Sequence, residues 1–251
     1  MLRSLHGYSR WQAFGIHLSI SLVILLTILS LVFFLWYPSP FYHVIDIWVL
    51  LAVLIVVDVI IGPLLTLVVF KPGKKGLALD LSIIAALQLA ALSYGTFKIY
   101  QNRPFFQVFT VDRFKVVSIQ DVDMAQLPDP AMAAGFHFGP RLIYADAPTD
   151  AEPIQKILME IFSGGPDVDR RPEYYRPYGG HVAQVLARAR PLDALKDKPA
   201  GEEKIQAFLA DQGGEADDYR FLPLTGGAND VAQVIAADTA RPVGAIYIDP
   251  W

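Results

Sequence analysis

The first hundred residues contain three long stretches of almost uninterrupted apolar side chains, at residues 14–36, 47–70 and 77–97. About 20 consecutive apolar residues in a helix are enough to cross the hydrocarbon core of a bilayer, and each stretch reaches that length. The first stretch closes in aromatic residues and prolines between Phe33 and Pro40, which suit the membrane interface and end a helix. The pattern therefore predicts three transmembrane helices, of which the first is a retained anchor and not a cleaved signal peptide.

From residue 101 onward the pattern becomes shorter and more mixed. Runs rich in aromatic and β-branched residues predict strands, whereas apolar residues at helical spacing predict helices. The predicted strands are 106–111, 114–119, 141–145, 219–224, 231–236 and 243–248, and the predicted helices are 151–162, 180–189 and 201–211. We therefore expect a membrane domain at residues 1–100, followed by an α+β domain at residues 101–251.

The basic residues near the apolar stretches predict the orientation in the membrane. Lys71, Lys74 and Lys75 cluster between the second and third stretches, whereas the connection at residues 37–46 has no lysine or arginine. Because clustered cations are retained on the cytoplasmic side, the lysine loop and the N-terminus are expected to be cytoplasmic. Three crossings then place the α+β domain outside the cytoplasm.

Charge and composition narrow the classes of function. Residues 99–251 hold 15 basic and 22 acidic side chains, and an acidic surface argues against nucleic acid as a partner. The chain has no cysteine, which excludes disulfides, thiolate metal sites and cysteine nucleophiles. His137 and His181 have no neighbours at metal-ligand spacing, and no catalytic or nucleotide-binding motif occurs. We expect no catalytic residue, metal or cofactor, and therefore a protein that binds and is not an enzyme.

Polar residues inside the apolar stretches are candidates for packing or docking within the membrane. Asp58 is the residue that costs most to place in hydrocarbon. It lies thirteen residues before Lys71, and Gln88 lies thirteen residues after Lys75, so the two reach the same depth in antiparallel helices. Thr27, near the centre of the first stretch, falls at that depth too, and Gly62-Pro63 predicts a bend close by.

Two explanations of these polar residues are compatible with each other. In the first, a protonated Asp58 shares hydrogen bonds with Gln88 and Thr27 and holds the three helices together. In the second, the same polar level receives the transmembrane helix of a partner protein. A proton relay is less favoured, because three helices in one chain make a poor transporter.

A tyrosine- and arginine-rich segment is the candidate contact surface of the α+β domain. Tyr and Arg are enriched at the centres of protein interfaces. The alternative is an ordered loop that packs its tyrosines on its own domain. The candidate residues are Arg171, Tyr174, Tyr175, Arg176 and Tyr178.

The membrane part carries a family resemblance that covers roughly residues 13–117. Its motifs are Ala13–Leu22, Val32–Pro38, Asp58–Phe70 followed by Pro72-Gly73-Lys74-Lys75, Asp80–Gln88, Tyr94-Gly95, Arg103-Pro104 and Val111–Phe114. Together they resemble the type IV pilin accessory proteins of the TfpX/TfpZ kind, which are inner-membrane proteins of Gram-negative bacteria. Beyond residue 117 the resemblance is confined to residues 219–224 and the Asp-Pro-Trp end.

The resemblance implies an inner-membrane accessory protein that supports the assembly or display of type IV pili, with a periplasmic C-terminal domain. Its implied partners are the major pilin or pilus assembly proteins, besides membrane lipid, and self-association into a homo-oligomer stays open. It transfers no catalytic residue. The alternative function is a membrane-anchored extracytoplasmic sensor that signals through a partner protein, since the cytoplasmic side has only short segments. A membrane-tethered enzyme is the remaining alternative, and no motif supports it.

Overall fold

The computed structural model describes residues 7–135 and 137–251. The chain divides into two compact units. One unit contains Met1–Leu35 and Ile47–Gln101, and the other contains Trp36–Asp46 and Asn102–Trp251. We describe each unit by itself.

The first unit consists of long apolar helices. Among the described residues, three helices are long and apolar enough to cross a membrane: Arg10–Trp36 with 27 residues, Trp48–Val69 with 22 and Leu77–Gln101 with 25. At a rise of about 1.5 Å per residue, even the shortest spans a hydrocarbon core of about 30 Å. The three apolar stretches predicted from the sequence are therefore confirmed as helices.

Two of these helices contain a wider, π-helical turn. The first span consists of α1 (Arg10–Leu31), which continues into a π-helical turn at Val32–Trp36. The second span consists of α3 (Trp48–Ile55), a π-helical turn at Val56–Ile61 and α4 (Gly62–Val69). The third span is the helix α5 (Leu77–Gln101).

Proline explains the π-helical turn in the second span. Pro63 has no N–H to donate, and its ring crowds the carbonyl of the residue four positions earlier. The helix widens just before it, so that the Gly62 N–H reaches the carbonyl of Val57, five residues back. The predicted bend at Gly62-Pro63 is thus a local widening within one continuous span.

The described residues of the second unit form one mixed sheet of eight strands. The strands are β1 (Pro104–Thr110), β2 (Arg113–Ser118), β3 (Arg141–Ala145), β4 (Tyr175–Pro177), β5 (Arg190–Pro191), β6 (Tyr219–Thr225), β7 (Val231–Ala236) and β8 (Pro242–Ile246). Their order is β4-β3-β1-β2-β6-β7-β8, and β5 pairs with β6. The pairs β1–β3 and β2–β6 are parallel, and the others are antiparallel. Helices and a sheet in one domain confirm the predicted α+β class.

In the described part of this unit, four α-helices accompany the sheet: α2 (Phe41–Val44), α6 (Ala151–Phe162), α7 (Val182–Leu186) and α8 (Gly201–Gln212). The sequence pattern predicts α6 with the same bounds and α8 to within one residue at its end. It misses β4, because the prolines around Tyr175 suggest irregular structure. β4 lies at the edge of the sheet and ends at Pro177, where the missing N–H of a proline is tolerated.

The connection between the first two spans belongs to the core of the second unit. Phe41 and Val44 are buried in the same cluster as Phe114, Leu222 and Leu224 of the sheet. The Ala228 N–H donates to the Val44 carbonyl at 3.0 Å, and the Asn229 side-chain amide donates to the His43 carbonyl at 3.0 Å. We call Trp36–Asp46 the insert segment, because it comes from the membrane part of the sequence and completes the core of the other unit.

Candidate functional site

The candidate site within the membrane part is formed by Asp58 and Gln88. Asp58 lies in the π-helical turn and is 5% exposed, and Gln88 lies on α5 and is 8% exposed. The Gln88 Nε2 lies 3.2 Å from the Asp58 backbone carbonyl and 3.3 Å from Asp58 Oδ1, and donates to both. The structure thus brings together the two residues that the sequence places at one depth.

Gly62 allows this contact. A Cβ built on Gly62 would lie 1.8 Å from Gln88 Nε2 and 2.3 Å from its Cδ. The glutamine side chain therefore lies directly on the glycine backbone, and the next residue, Pro63, is buried as well. Of the five predicted intramembrane residues, Asp58, Gly62, Pro63 and Gln88 form one continuous region.

Thr27 does not share in these hydrogen bonds. Its hydroxyl donates to the carbonyl of Val23 in its own helix at 2.9 Å. The polar contact between α1 and the second span is a different one, between His17 Nδ1 and Thr66 Oγ1 at 2.6 Å. A histidine inside an apolar stretch could have indicated this contact from the sequence. The comparison of depths began from Asp58 and did not consider His17.

The Asp58–Gln88 pair has unused hydrogen-bonding capacity. Asp58 Oδ2 and Gln88 Oε1 are buried and have no partner among the described residues. Asp58 also lines a cavity of about 180 Å³ between the second span and α5. The rest of its lining is mostly apolar and includes two small residues, Ala91 and Gly95. This region therefore combines two unsatisfied polar oxygens with a cavity that Asp58 lines.

The three lysines predicted to set the topology lie in the connection between α4 and α5, and all are exposed. Lys74 Nζ forms an ion pair with Asp80 Oδ2 at 2.6 Å. The pair links the connection to the first turn of α5, where an acidic residue interacts favourably with the helix dipole.

The tyrosine- and arginine-rich segment is largely integrated into the second unit. Tyr175 and Tyr178 are buried, and their hydroxyls donate to the carbonyls of Asp169 and Ala240. Burial raises the pKa of both tyrosines above the usual range. For these two residues the structure shows the alternative arrangement, in which the segment packs its tyrosines on its own domain.

The remaining candidates of this segment are partly accessible. Arg171 donates to Glu160 Oε2 of α6 at 2.5 Å, and only 12% of its side chain is exposed. Arg176 donates to the carbonyls of Glu173 and Tyr175, with 38% of its side chain exposed. Tyr174 is half-buried. Of the five candidates, Tyr174 and Arg176 are therefore the ones left partly accessible to a partner.

The described residues combine three helices that are long and apolar enough to cross a membrane with an α+β domain, which takes part of its core from the connection between the first two of these helices. Residues 6–45 match the model of the family described as fimbrial assembly protein FimB. That match covers the first span and nearly all of the insert segment.

Curated relatives extend the similarity beyond these residues. The chain is 29% identical over 243 residues to the fimbrial assembly protein of serogroup I from Dichelobacter nodosus, with 94% of each chain covered. It is 29% identical over the same length to the serogroup E1 protein of that organism. It is 36% identical over 116 residues to the protein of serogroups C1 and C2, covering 45% of this chain and 88% of the relative. No solved structure matches significantly.

The chain therefore belongs to the fimbrial assembly protein family. This membership confirms the family resemblance stated from the sequence.

Proposed function

We propose that this protein supports pilus assembly from within the bacterial inner membrane, by binding a transmembrane helix of the pilin or of the assembly machinery. Two findings support the proposal: membership of a family named for fimbrial assembly, and the unsatisfied oxygens of Asp58 and Gln88 together with the mostly apolar cavity that Asp58 lines. The action proposed is binding and not catalysis.

The observation that carries this proposal is the pair of buried oxygens that have no partner within residues 7–135 and 137–251. A buried polar group left unsatisfied costs about 1–3 kcal/mol, and the cost rises in hydrocarbon because no water can replace the partner. A partner helix that presents a hydrogen-bond donor at the depth of Asp58 would remove this cost. The small residues Ala91 and Gly95 beside the cavity would allow that helix to come close.

The proposed orientation follows from the lysines. Lys71, Lys74 and Lys75 would lie in the cytoplasm, and the unit formed by Trp36–Asp46 and Asn102–Trp251 would lie in the periplasm. In this orientation the membrane helices contact the helical part of the partner, and the periplasmic unit faces its extracytoplasmic part.

The experiment compares Asp58→Leu and Asp58→Asn in the native host with the clean deletion. Surface pilin, total cellular pilin and the level of this protein are measured together. We expect Asp58→Leu to keep the protein level and total pilin but to lower surface pilin toward the level of the deletion. Asp58→Asn, which keeps the size and a hydrogen-bonding side chain, is expected to retain most of the surface pilin.

Thr27→Val is the matched control, because it removes a polar group at similar depth whose hydroxyl is satisfied within its own helix. It should leave surface pilin unchanged. Loss of the protein itself in Asp58→Leu would support the explanation in which Asp58 holds the helices together. Unchanged surface pilin in the clean deletion would overturn the assembly function altogether.

A further inference from the structure

The first unit contains a second groove, with a volume of about 410 Å³, between its first and third spans. Thr66 and Phe70 of α4 are buried and form the floor of this groove. Ala13 and His17 of α1 contribute to one wall, and Ala85 of α5 contributes to the other. The volume lies within the range of ligand pockets in proteins.

The groove is narrow, and its width indicates what can occupy it. Ala13, His17 and Ile20 lie on one face of α1 and extend over seven residues, which corresponds to about 10 Å of helix. The volume divided by this length gives a cross-section of about 40 Å², whereas a helix about 10 Å across needs about 80 Å². An extended chain therefore fits the groove better than a helix with its side chains.

A hydrogen bond between the wall and the floor holds the groove in shape. His17 Nδ1 of α1 and Thr66 Oγ1 of α4 lie 2.6 Å apart. Small side chains on both walls, Ala13 and Ala85, leave the space above the floor open. The groove is therefore part of the packed helices and does not require a rearrangement to form.

Basic residues lie at one end of this groove. Lys71 directly follows Phe70, the last residue of the floor. Arg10 lies one helical turn before Ala13 and therefore on the same side of α1. Both basic side chains are exposed. An apolar floor thus ends in a positively charged rim.

Most of the positive charge of this rim is uncompensated. Residues 7–13 and 70–80 hold four basic side chains and one acidic side chain, which gives a net charge of +3. The acidic residue, Asp80, is paired with Lys74. Within the described part of the chain, Arg10, Lys71 and Lys75 form no ion pair. The N-termini of α1 and α5 lie at this end, against one C-terminus, that of α4, and their dipoles add to the positive potential.

We propose that this groove binds one anionic phospholipid. An acyl chain would lie over Thr66 and Phe70, and the phosphate group would lie at Arg10, Lys71 and Lys75. Basic pockets between transmembrane helices are suited to anionic headgroups, because each lysine or arginine adds to the attraction. The proposal requires that the three helices lie in a membrane, as in the proposed function, but not that a partner helix binds at Asp58.

The test uses the full-length protein, purified in detergent and stripped of lipid. Native mass spectrometry counts the lipid molecules that the protein retains. The probes are phosphatidylglycerol, which is anionic, and phosphatidylethanolamine, which is zwitterionic, with identical acyl chains. We expect one phosphatidylglycerol to be retained at a concentration about tenfold lower than is needed for phosphatidylethanolamine. Equal retention of the two lipids would overturn the proposal.

A pair of charge variants tests the headgroup site. The double substitution Lys71→Gln and Lys75→Gln should weaken the binding of phosphatidylglycerol about tenfold, because two of the three unpaired basic groups are lost. Lys156→Gln is the control, since it removes an exposed lysine from α6 of the second unit, and it should change nothing. Unchanged binding in the double variant would contradict a headgroup site at these lysines.

Two tryptophan variants test the groove itself. Ala85→Trp would fill the groove, whereas Ala86→Trp adds the same side chain at an exposed neighbouring position outside it. We expect Ala85→Trp to lose the preference for phosphatidylglycerol and Ala86→Trp to keep it. Retention of the preference in Ala85→Trp overturns the proposal, and a simultaneous loss of surface pilin in the native host would assign the groove to a protein segment. Asp58→Leu should leave lipid retention unchanged, so the two proposals can fail separately.

Discussion

At the scale of single residues, the contact between Gly62 and Gln88 determines how closely the second and third spans approach. The glutamine amide occupies the space where any other residue would have its Cβ, 1.8 Å from Gln88 Nε2. It donates from that position to both the backbone and the side chain of Asp58. One missing side chain thus allows one polar pair to form inside an apolar bundle.

Gly62→Ala should therefore weaken the first unit. The added methyl group would push the Gln88 side chain away and break its two hydrogen bonds, at a cost of about 1–3 kcal/mol for overpacking. Thermal loss of helical circular dichroism in detergent measures this effect as a lower midpoint. Gly15→Ala is the control, because nothing lies within 4 Å of a Cβ at that position.

The additional substitution Gln88→Ala tests the cause of this destabilisation. In the background of Gly62→Ala, Gln88→Ala should cost much less stability than in the natural chain, since the effects of substitutions at residues in contact are not additive. Fully additive losses would contradict a direct contact between the two positions.

Depth along a helix could be predicted from the sequence, but rotation about its axis could not. The equal spacing of Asp58 and Gln88 from the lysine loop placed them at one level, and the structure pairs them. Thr27 lies near that level, yet its hydroxyl is used by its own helix. Which side of α1 faces its neighbours depends on helix packing, and a nearly uniform apolar sequence carries no amphipathic signal for it.

At the scale of elements, the sequence analysis succeeded where an element has its own internal pattern. The helix α6 and the strand β7 were predicted with the bounds observed, because periodic apolar residues mark them. The two-residue β5 and the three-residue β4 were missed, since elements so short form only against a neighbouring strand. The insert segment was predicted as a connection without lysine or arginine, and its place in the core depends on contacts with residues nearly 200 positions away.

The insert segment should accordingly contribute to the stability of the second unit. Phe41→Ala removes a buried side chain of the core cluster, at an expected cost of about 3 kcal/mol. Amide hydrogen exchange of β6 and β7 should then accelerate about a hundredfold, because 1.4 kcal/mol corresponds to a factor of ten. Met159→Ala, which changes a side chain that is 70% exposed on α6, serves as the control and should have little effect. Unchanged exchange in Phe41→Ala would mean that the sheet is stable without the segment.

At the scale of the whole molecule, the insert segment constrains the topology of the chain. It connects the first and second spans, and Asn102 follows the third span directly. Since the segment and residues 102–251 share one core, both must lie on the same side of a membrane. Three crossings satisfy this requirement: the connection after the first span and the chain after the third emerge on the same side. The fold fixes the relation between the two segments, and the lysines predict which side of the membrane this is.

The orientation can be tested with single cysteines, because the natural chain contains none. Met159→Cys places a thiol on the exposed face of α6, and Lys75→Cys places one in the lysine loop while Lys71 and Lys74 remain. In cells with a permeabilised outer membrane, a membrane-impermeant maleimide should label Met159→Cys, whereas Lys75→Cys should react only after the inner membrane is lysed. The cysteine-free parent gives the background. The reverse pattern would place the second unit in the cytoplasm and would remove the basis for periplasmic contact with pilin. Labelling of both positions before lysis would contradict a connection that crosses the membrane between them.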